Sequence, residues 1–372
     1  MKTCRVMKTV LGIVSTALAL SILSVSAFAA ALPEQALSHA NPRVQEVMAV
    51  QEAVTPDLMS MPDVLGTAVG QDDDGELTIL VYVNLEGKNP AASARNIPKN
   101  LRGKNITVEI TEPFRALGKP APVPKVSHTA RQTPPIQLGT SGGWGYDLAN
   151  GYCCGGTLGS LVKIGTTQYI LSNYHVFESD IVPGGNARVA VSGDPIIQPG
   201  LIDVGCSVGN AQEVATLTKD IIKGGSLPGS NVDASIAQVM SGMVSPYGEI
   251  LEIGTISKDT VAASIKKAIK KSGRTTGLTR STISGVNGTV SVAYDNECAG
   301  GPAFTKTFTG QIMIANKGNK FIAGGDSGSL MVEDVPTKPR AVGLLFAGSS
   351  TTAIANPIGQ VLNFFGATMV GQ

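Results

Sequence analysis

The stretch Gly324-Gly325-Asp326-Ser327-Gly328-Ser329-Leu330 sets one serine among glycines. A serine that attacks a carbonyl needs a tightly turned backbone, N–H groups aimed at the developing oxyanion and room for the substrate, and glycines supply all three. The same composition suits a Gly/Ser-rich hairpin in a chain with 44 glycines. Ser327 therefore has to be judged by the groups elsewhere in the chain that can activate it.

Serine is a weak nucleophile at neutral pH, and imidazole is its usual base because the ring titrates near the working pH. There are three histidines. His39 falls just before a helix start and His128 lies in a Pro-rich segment, so both are expected to be exposed. His175 ends the apolar run Tyr169-Ile170-Leu171-Ser172-Asn173-Tyr174-His175-Val176, where a strand gives way to a loop, and is the expected partner of Ser327. A carboxylate should then hold the imidazole tautomer and stabilise its charged form. Asp203, Asp220 and Asp233 compete for that place. Asp203 lies in a Gly-rich segment and Asp220 precedes a Lys-Gly-Gly turn, whereas Asp233 opens the alternating run Ala234-Ser235-Ile236-Ala237-Gln238-Val239, which favours Asp233.

Around these residues, 136–372 reads as mainly β. Short β-branched runs at 168–171, 187–191 and 289–293 are separated by turn residues, the pattern of antiparallel barrels or sandwiches. Two helices are expected to interrupt them. One spans 259–271, with Val261, Ile265 and Ile269 four apart, and the other spans 358–368, with Ile358, Val361, Leu362 and Phe365 on one face.

The order His175, Asp233, Ser327 and the local strings resemble the trypsin/chymotrypsin-like serine proteases. Cys154-Gly155-Gly156-Thr157-Leu158 resembles an early-strand motif of that family, Asn173-Tyr174-His175-Val176 its histidine motif, and Gly325-Asp326-Ser327-Gly328 its serine motif. Ala341-Val342-Gly343-Leu344-Leu345-Phe346-Ala347-Gly348 resembles the strand that lines the substrate backbone. The resemblance implies two antiparallel six-stranded β-barrels with the triad in the cleft between them, and oxyanion-hole N–H groups from Gly325 and Ser327. It also implies a substrate wall of Phe321, Ile322, Phe346, Ala347 and Gly348 that suits an apolar residue before the scissile bond. Two departures stand out. No cysteine stands directly after the histidine motif, where the family commonly has a bridge, and no basic residue precedes Ile136-Gln137-Leu138-Gly139 in the manner of an activation cleavage. In pancreatic-type members a freed amino terminus pairs with the aspartate at the position of Asp326, so this chain looks more like bacterial and heat-shock-type relatives.

Ahead of the barrels, 32–117 reads as a small α+β domain, propeptide-like or regulatory. Asn41-Pro42 is a helix start, 64–69 and 77–83 are strands joined by a hairpin through Asp74-Gly75, 91–96 is a short helix and 106–110 a strand. Residues 118–135 carry Pro120, Pro122 and Pro124 at alternate positions and read as an extended linker. Residues 1–29 read as an export signal: Lys2, Arg5 and Lys8 precede an apolar stretch, and Ala27-Phe28-Ala29 or Ala29-Ala30-Ala31 offers a cleavage site. Cys4 would leave with it, and Cys153, Cys154, Cys206 and Cys298 would form two disulfides, with adjacent Cys153 and Cys154 reaching separate partners.

The formal charge of +1, from 29 basic and 28 acidic side chains, gives no basic excess of the kind a nucleic-acid groove or a polybasic membrane surface requires. No phosphate loop of either common type is present. No metal is expected, because no Cys pair at ligand spacing or neighbouring His supports a site, and no cofactor is implied. The expected activity is that of an exported serine endopeptidase acting on protein or peptide substrates, without a stable membrane anchor once the signal is removed. The competing reading is a catalytically silent secreted binding protein on the same fold.

Overall fold

The computed structural model describes residues 36–116, 127–149, 152–178, 189–219, 229–294, 303–318 and 320–372. The export signal read at 1–29, the first half of the Pro-rich stretch, Asp220 and Cys298 lie outside the described residues. Contacts gather Ala36–Gln372 into one compact unit.

Two sheets carry the architecture. In the first, Thr140–Trp144, Pro195–Gln198, Gln212–Thr218, Ser235–Val239, Thr167–Ser172 and Ser160–Ile164 follow one another in space, with Gly156–Leu158 at the Thr140–Trp144 end and Thr368–Met369 beyond Ser160–Ile164. Gly156–Leu158 and Ser160–Ile164 are separated in sequence only by Gly159, so the two ends of the order meet and the sheet closes into a barrel. Leu161, Ile170, Val214, Leu217 and Ile236 are all buried in the cluster that these strands form. Each such side chain, once buried, stabilises the fold by about 2 kcal/mol.

The second sheet orders Ala268–Lys271, Leu330–Glu333, Ala341–Gly348, Thr352–Pro357, Phe304–Ala315 and Thr279–Tyr294, all antiparallel. Ala268–Lys271 also pairs with Thr279–Tyr294, which closes these six strands into a second barrel. The Ile358–Phe365 helix follows directly, burying Ile358, Val361 and Phe365 and ending at Gly366, whose left-handed φ of 64° stops it.

Residues 36–116 extend this second sheet. Val64–Gln71 pairs antiparallel with Thr279–Tyr294, and Leu77–Asn84 and Lys104–Thr111 continue outward. The Pro42–Met59 helix is capped by the Asn41 side chain, which accepts from Arg43 N–H at 2.9 Å, and it lays Val44, Val47, Val54 and Leu58 on the sheet. The elements read at 64–69, 77–83, 91–96 and 106–110 are present with small changes of boundary.

Three expectations are corrected. Residues 259–267 are not helical, and 268–271 is a strand. Apolar residues four apart satisfy a two-residue period as well as a helical one, and Val261, Ala263, Ile265 and Ile269 all pack into one cluster, while Lys266 at φ 67° interrupts any helix. The described part of 187–191 is not a strand. His128 is fully buried rather than exposed, with Nδ1 2.8 Å from the Gly139 carbonyl and Nε2 2.8 Å from Glu252 Oε2. The end of the Pro-rich stretch folds back on the first barrel, where Gln198 Nε2 donates to the Ala130 carbonyl at 2.8 Å.

Candidate active site

The pairing of Ser172 with Ser235 fixes what adjoins it on both strands. Just beyond it, Asn173 Nδ2 donates to the Asp233 carbonyl at 2.7 Å, and the short Tyr174–Phe177 helix begins. His175 is thereby held over Asp233. His175 Nδ1 lies 2.6 Å from Asp233 Oδ2, and the His175 N–H donates to Oδ1 at 3.3 Å. From the second barrel, Tyr294 Oη donates to Asp233 Oδ2 at 2.8 Å and Asn356 Oδ1 accepts the Asp233 N–H at 3.3 Å.

Asp233 is wholly buried, so its carboxyl oxygens are met by His175 and Tyr294 rather than by water. Tyr294 is the complementary case: burial pushes its hydroxyl well above the usual tyrosine range, and the neighbouring Asp233 charge pushes it further. It stays a donor at all ordinary pH. With Nδ1–H committed to Asp233, the lone pair of the ring is on Nε2, which is buried and has no hydrogen-bond partner among the described residues.

The serine turn comes from the second barrel. Asp326 N–H donates to the Ala323 carbonyl at 3.0 Å, Gly328 N–H to the Leu345 carbonyl at 3.0 Å, and the Ser327 carbonyl accepts Thr157 N–H at 2.8 Å from the first barrel. Gly328 has φ 90°, and a Cβ there would stand 2.2 Å from Ser172 Oγ and 2.3 Å from the Thr157 carbonyl oxygen. The turn thus abuts the strand that leads to His175. Ser327 Oγ itself donates to the Phe346 carbonyl at 3.4 Å, and no hydrogen bond joins it to His175 in this conformation. The N–H groups of Gly325 and Ser327 donate to no described residue.

Asp326 is pinned between strands. Its Oδ1 accepts the N–H groups of Thr275 and Thr276 at 2.9 and 3.1 Å, and its Oδ2 accepts Thr276 Oγ1 at 2.7 Å and Ala323 N–H at 3.0 Å. The Lys271 ammonium stands 3.3 Å from Oδ2, with both side chains fully buried. Burial pulls Lys271 below the ordinary lysine range, and Asp326 opposes that pull. Beside them, Arg274 makes a two-pronged ion pair with Asp203, whose Oδ2 also accepts Ser141 Oγ at 2.5 Å. Asp203 is thus occupied away from the imidazole.

The expected substrate-wall residues are all buried, in two groups. Phe346 and Ala347 pack with Tyr174, Tyr294 and Phe308, while Phe321 and Ile322 pack with Ile283, Met331 and Leu345. Gly348 bridges them, since a Cβ there would stand 3.1 Å from Ile322 Cδ1. Cys153 is bonded to Cys206, across 5.4 Å between Cα atoms, and Cys154 is disulfide-bonded as well.

Sequence reading passed over Tyr294, Asn356 and Lys271. Only Lys271 left a trace, as a lysine beside the turn Ser272-Gly273-Arg274-Thr275-Thr276-Gly277. Tyr294 and Asn356 reach Asp233 from strands 61 and 123 residues away, and nothing local marks them.

Residues 225–356 match a family model described as the Nal1 C-terminal domain, a span that includes Asp233 and Ser327. No curated protein matches the chain. Among solved structures it is similar to a glutamic acid specific serine protease, at 21% identity over 63% of this chain and 100% of that one, with a TM-score of 0.41. It is similar to Thermobifida fusca Protease A, at 20% identity over 64% and 99% of the two chains, with a TM-score of 0.41. It is also similar to a Cellulomonas bogoriensis chymotrypsin, at 18% identity over 64% and 99%, with a TM-score of 0.38. In its own topology, two closed antiparallel barrels with the His, Asp and Ser segments meeting between them, the chain has a trypsin/chymotrypsin-like fold.

Proposed function

We propose that the protein is a serine endopeptidase in which Ser327 is the nucleophile, His175 the general base and acid, and Asp233 the group that orients the imidazole. The observation that carries this reading is the pair His175 Nδ1 and Asp233 Oδ2 at 2.6 Å, with Nε2 left free. Rotation of Ser327 about its Cα–Cβ bond releases the Phe346 carbonyl and turns Oγ toward Nε2. Oγ then attacks the peptide carbonyl as Nε2 takes its proton, and the imidazolium returns that proton to the leaving amine. The N–H groups of Gly325 and Ser327 are the donors suited to the oxyanion of the tetrahedral intermediate.

The reading extends to an apolar preference before the scissile bond, supported by the absence of a carboxylate among Phe321, Ile322, Phe346, Ala347 and Gly348. It extends to export, supported by the disulfides, which persist in oxidising compartments. Among the described residues, no helix is long and apolar enough to cross a membrane. The contact of Ser327 Oγ with the Phe346 carbonyl favours a second reading, a silent binding protein on the same framework. The separating experiment is labelling with an apolar diphenyl phosphonate and mass spectrometry of the adduct. Adduct on Ser327, absent from Ser327→Ala, and cleavage of an unfolded protein support the peptidase. A folded protein that neither labels nor cleaves under any condition leaves the binding protein.

A further inference from the structure

The strand Ala341–Gly348 has two edges. One is covered along Gly343–Gly348 by Thr352–Pro357. On the other, Leu330–Glu333 pairs only as far as Leu344, and the serine turn takes up Leu345 through Gly328 N–H at 3.0 Å and Ser329 O at 3.1 Å. The rest of that edge, at Ala347 and Gly348, is open to an added strand, which is how an extended peptide docks on a sheet.

In this structure that edge is filled by the chain itself. Arg115–Ala116 pairs antiparallel with it, Ala116 against Ala347 and Arg115 against Gly348. The antiparallel direction runs toward the end of the edge where Phe346 and Ser327 Oγ lie. The segment is held at several points. Thr111 Oγ1 meets Ser349 Oγ at 2.6 Å and Thr351 Oγ1 at 2.7 Å, and Glu112 Oε2 accepts Ser350 N–H at 2.9 Å. The Phe114 carbonyl accepts Ala293 N–H at 3.0 Å, and its ring, fully buried, packs edge-on to Tyr82 at 5.4 Å between centroids.

We infer that Arg115–Ala116 is a built-in occupant of the peptide-docking edge, so that residues 111–116 hold the full chain in an autoinhibited state. The inference rests on the peptidase reading, because the edge matters only if a substrate has to use it. It gives the amino-terminal layer a role at the site: that layer delivers a strand that a substrate must displace. The Ser327 conformation fits such a state, with its hydroxyl turned to Phe346 rather than to His175.

The test compares the full chain with an Arg115→Pro/Ala116→Pro variant, in which neither residue can donate an N–H, and with Thr111→Val/Glu112→Ala, which loosens the anchor and leaves the strand intact. None of these residues is in the catalytic set. The readout is the rate at which the apolar diphenyl phosphonate labels Ser327, with thermal unfolding as the check on folding. Releasing a competing occupant raises the competent fraction, and both variants should label roughly ten-fold faster or more. A synthetic peptide of residues 111–116 should slow the opened variants again. Should the full chain label as fast as both variants, the inference fails while the peptidase reading stands. Should the full chain and both folded variants all refuse the label, the peptidase reading fails and takes the inference with it. If the proline variant does not fold, the anchor variant and the peptide decide alone.

Discussion

Lys271 Nζ lies 3.3 Å from Asp326 Oδ2, and neither side chain reaches solvent. Asp326 is the residue before the proposed nucleophile, so this ion pair fixes the turn on which the Gly325 and Ser327 N–H groups sit. In pancreatic-type proteases the counter-charge at this place is a newly freed amino terminus. Here the cation beside Asp326 belongs to a strand of the second barrel. Removing one partner of a buried pair leaves an uncompensated charge at a cost of about 3 to 5 kcal/mol. Lys271→Met should lower thermal stability and reduce kcat/KM by about a hundred-fold or more. Urea unfolding and steady-state kinetics on an unfolded protein substrate check the two effects.

The same lysine sets a pH dependence with opposed signs. Burial outweighs Asp326 and holds Lys271 below its ordinary value. Between that lowered value and the ordinary one, the folded protein has released a proton that the unfolded chain keeps, so the lysine's own contribution to stability rises with pH across that window. Below it, the cost of burying the ammonium is fully present. Activity should move the other way, since deprotonation strips Asp326 of its counter-charge. Comparing the parent with Lys271→Met, the stability difference should shift toward the parent as pH climbs toward the lysine range, while the parent's kcat/KM falls. Parallel loss of both quantities would contradict the assignment. Tyr294, held well above its usual range, stays protonated through the window and does not confuse it.

Asp233 gathers donors from both barrels, and they should differ in weight. Asp233→Asn keeps the shape but gives the imidazole the wrong tautomer, and kcat should fall about ten-thousand-fold. Tyr294→Phe removes one hydrogen bond to a buried carboxylate that keeps its contacts with His175. A bond to a charged group contributes about 1.5 to 3 kcal/mol, so kcat should fall between about ten- and a hundred-fold. Burst kinetics with an activated ester would assign the loss to acylation. An equal effect of the two substitutions would sink the ranking.

How much of this was legible beforehand follows from where the information sits. His175, Asp233 and Ser327 each end or open a local pattern, a strand terminus or a glycine turn, so residue type and chain order single them out. The helix read at 259–271 failed because a four-residue spacing carries both periods, and only Lys266 at φ 67° and pairing with Thr279–Tyr294 decide between them. His128 failed for the converse reason: neighbouring prolines describe its backbone, whereas its burial comes from Glu252, 124 residues away. The addition of Arg115–Ala116 to the edge at Gly348 is a pairing of two residues across the fold, with no local signature at all.

The last prediction separates a glycine needed for its backbone from one needed for its space. Gly318 and Gly328 both have left-handed φ, 62° and 90°. A Cβ on Gly318 meets nothing within 4 Å, so Gly318→Ala should cost only about 1 to 2 kcal/mol, the price of the conformation. A Cβ on Gly328 would lie 2.2 Å from Ser172 Oγ and 2.3 Å from the Thr157 carbonyl, and the second of these is backbone that cannot swing aside. Gly328→Ala should therefore cost about 3 kcal/mol or more. Because Thr157 also holds the Ser327 carbonyl, at 2.8 Å, the strain should reach the nucleophile. Urea unfolding of both variants, with phosphonate labelling of whatever folds, should find Gly318→Ala nearly unchanged in labelling. Gly328→Ala should be deficient in both measurements, and a fully active Gly328→Ala would show that the two barrels do not meet at this turn as described.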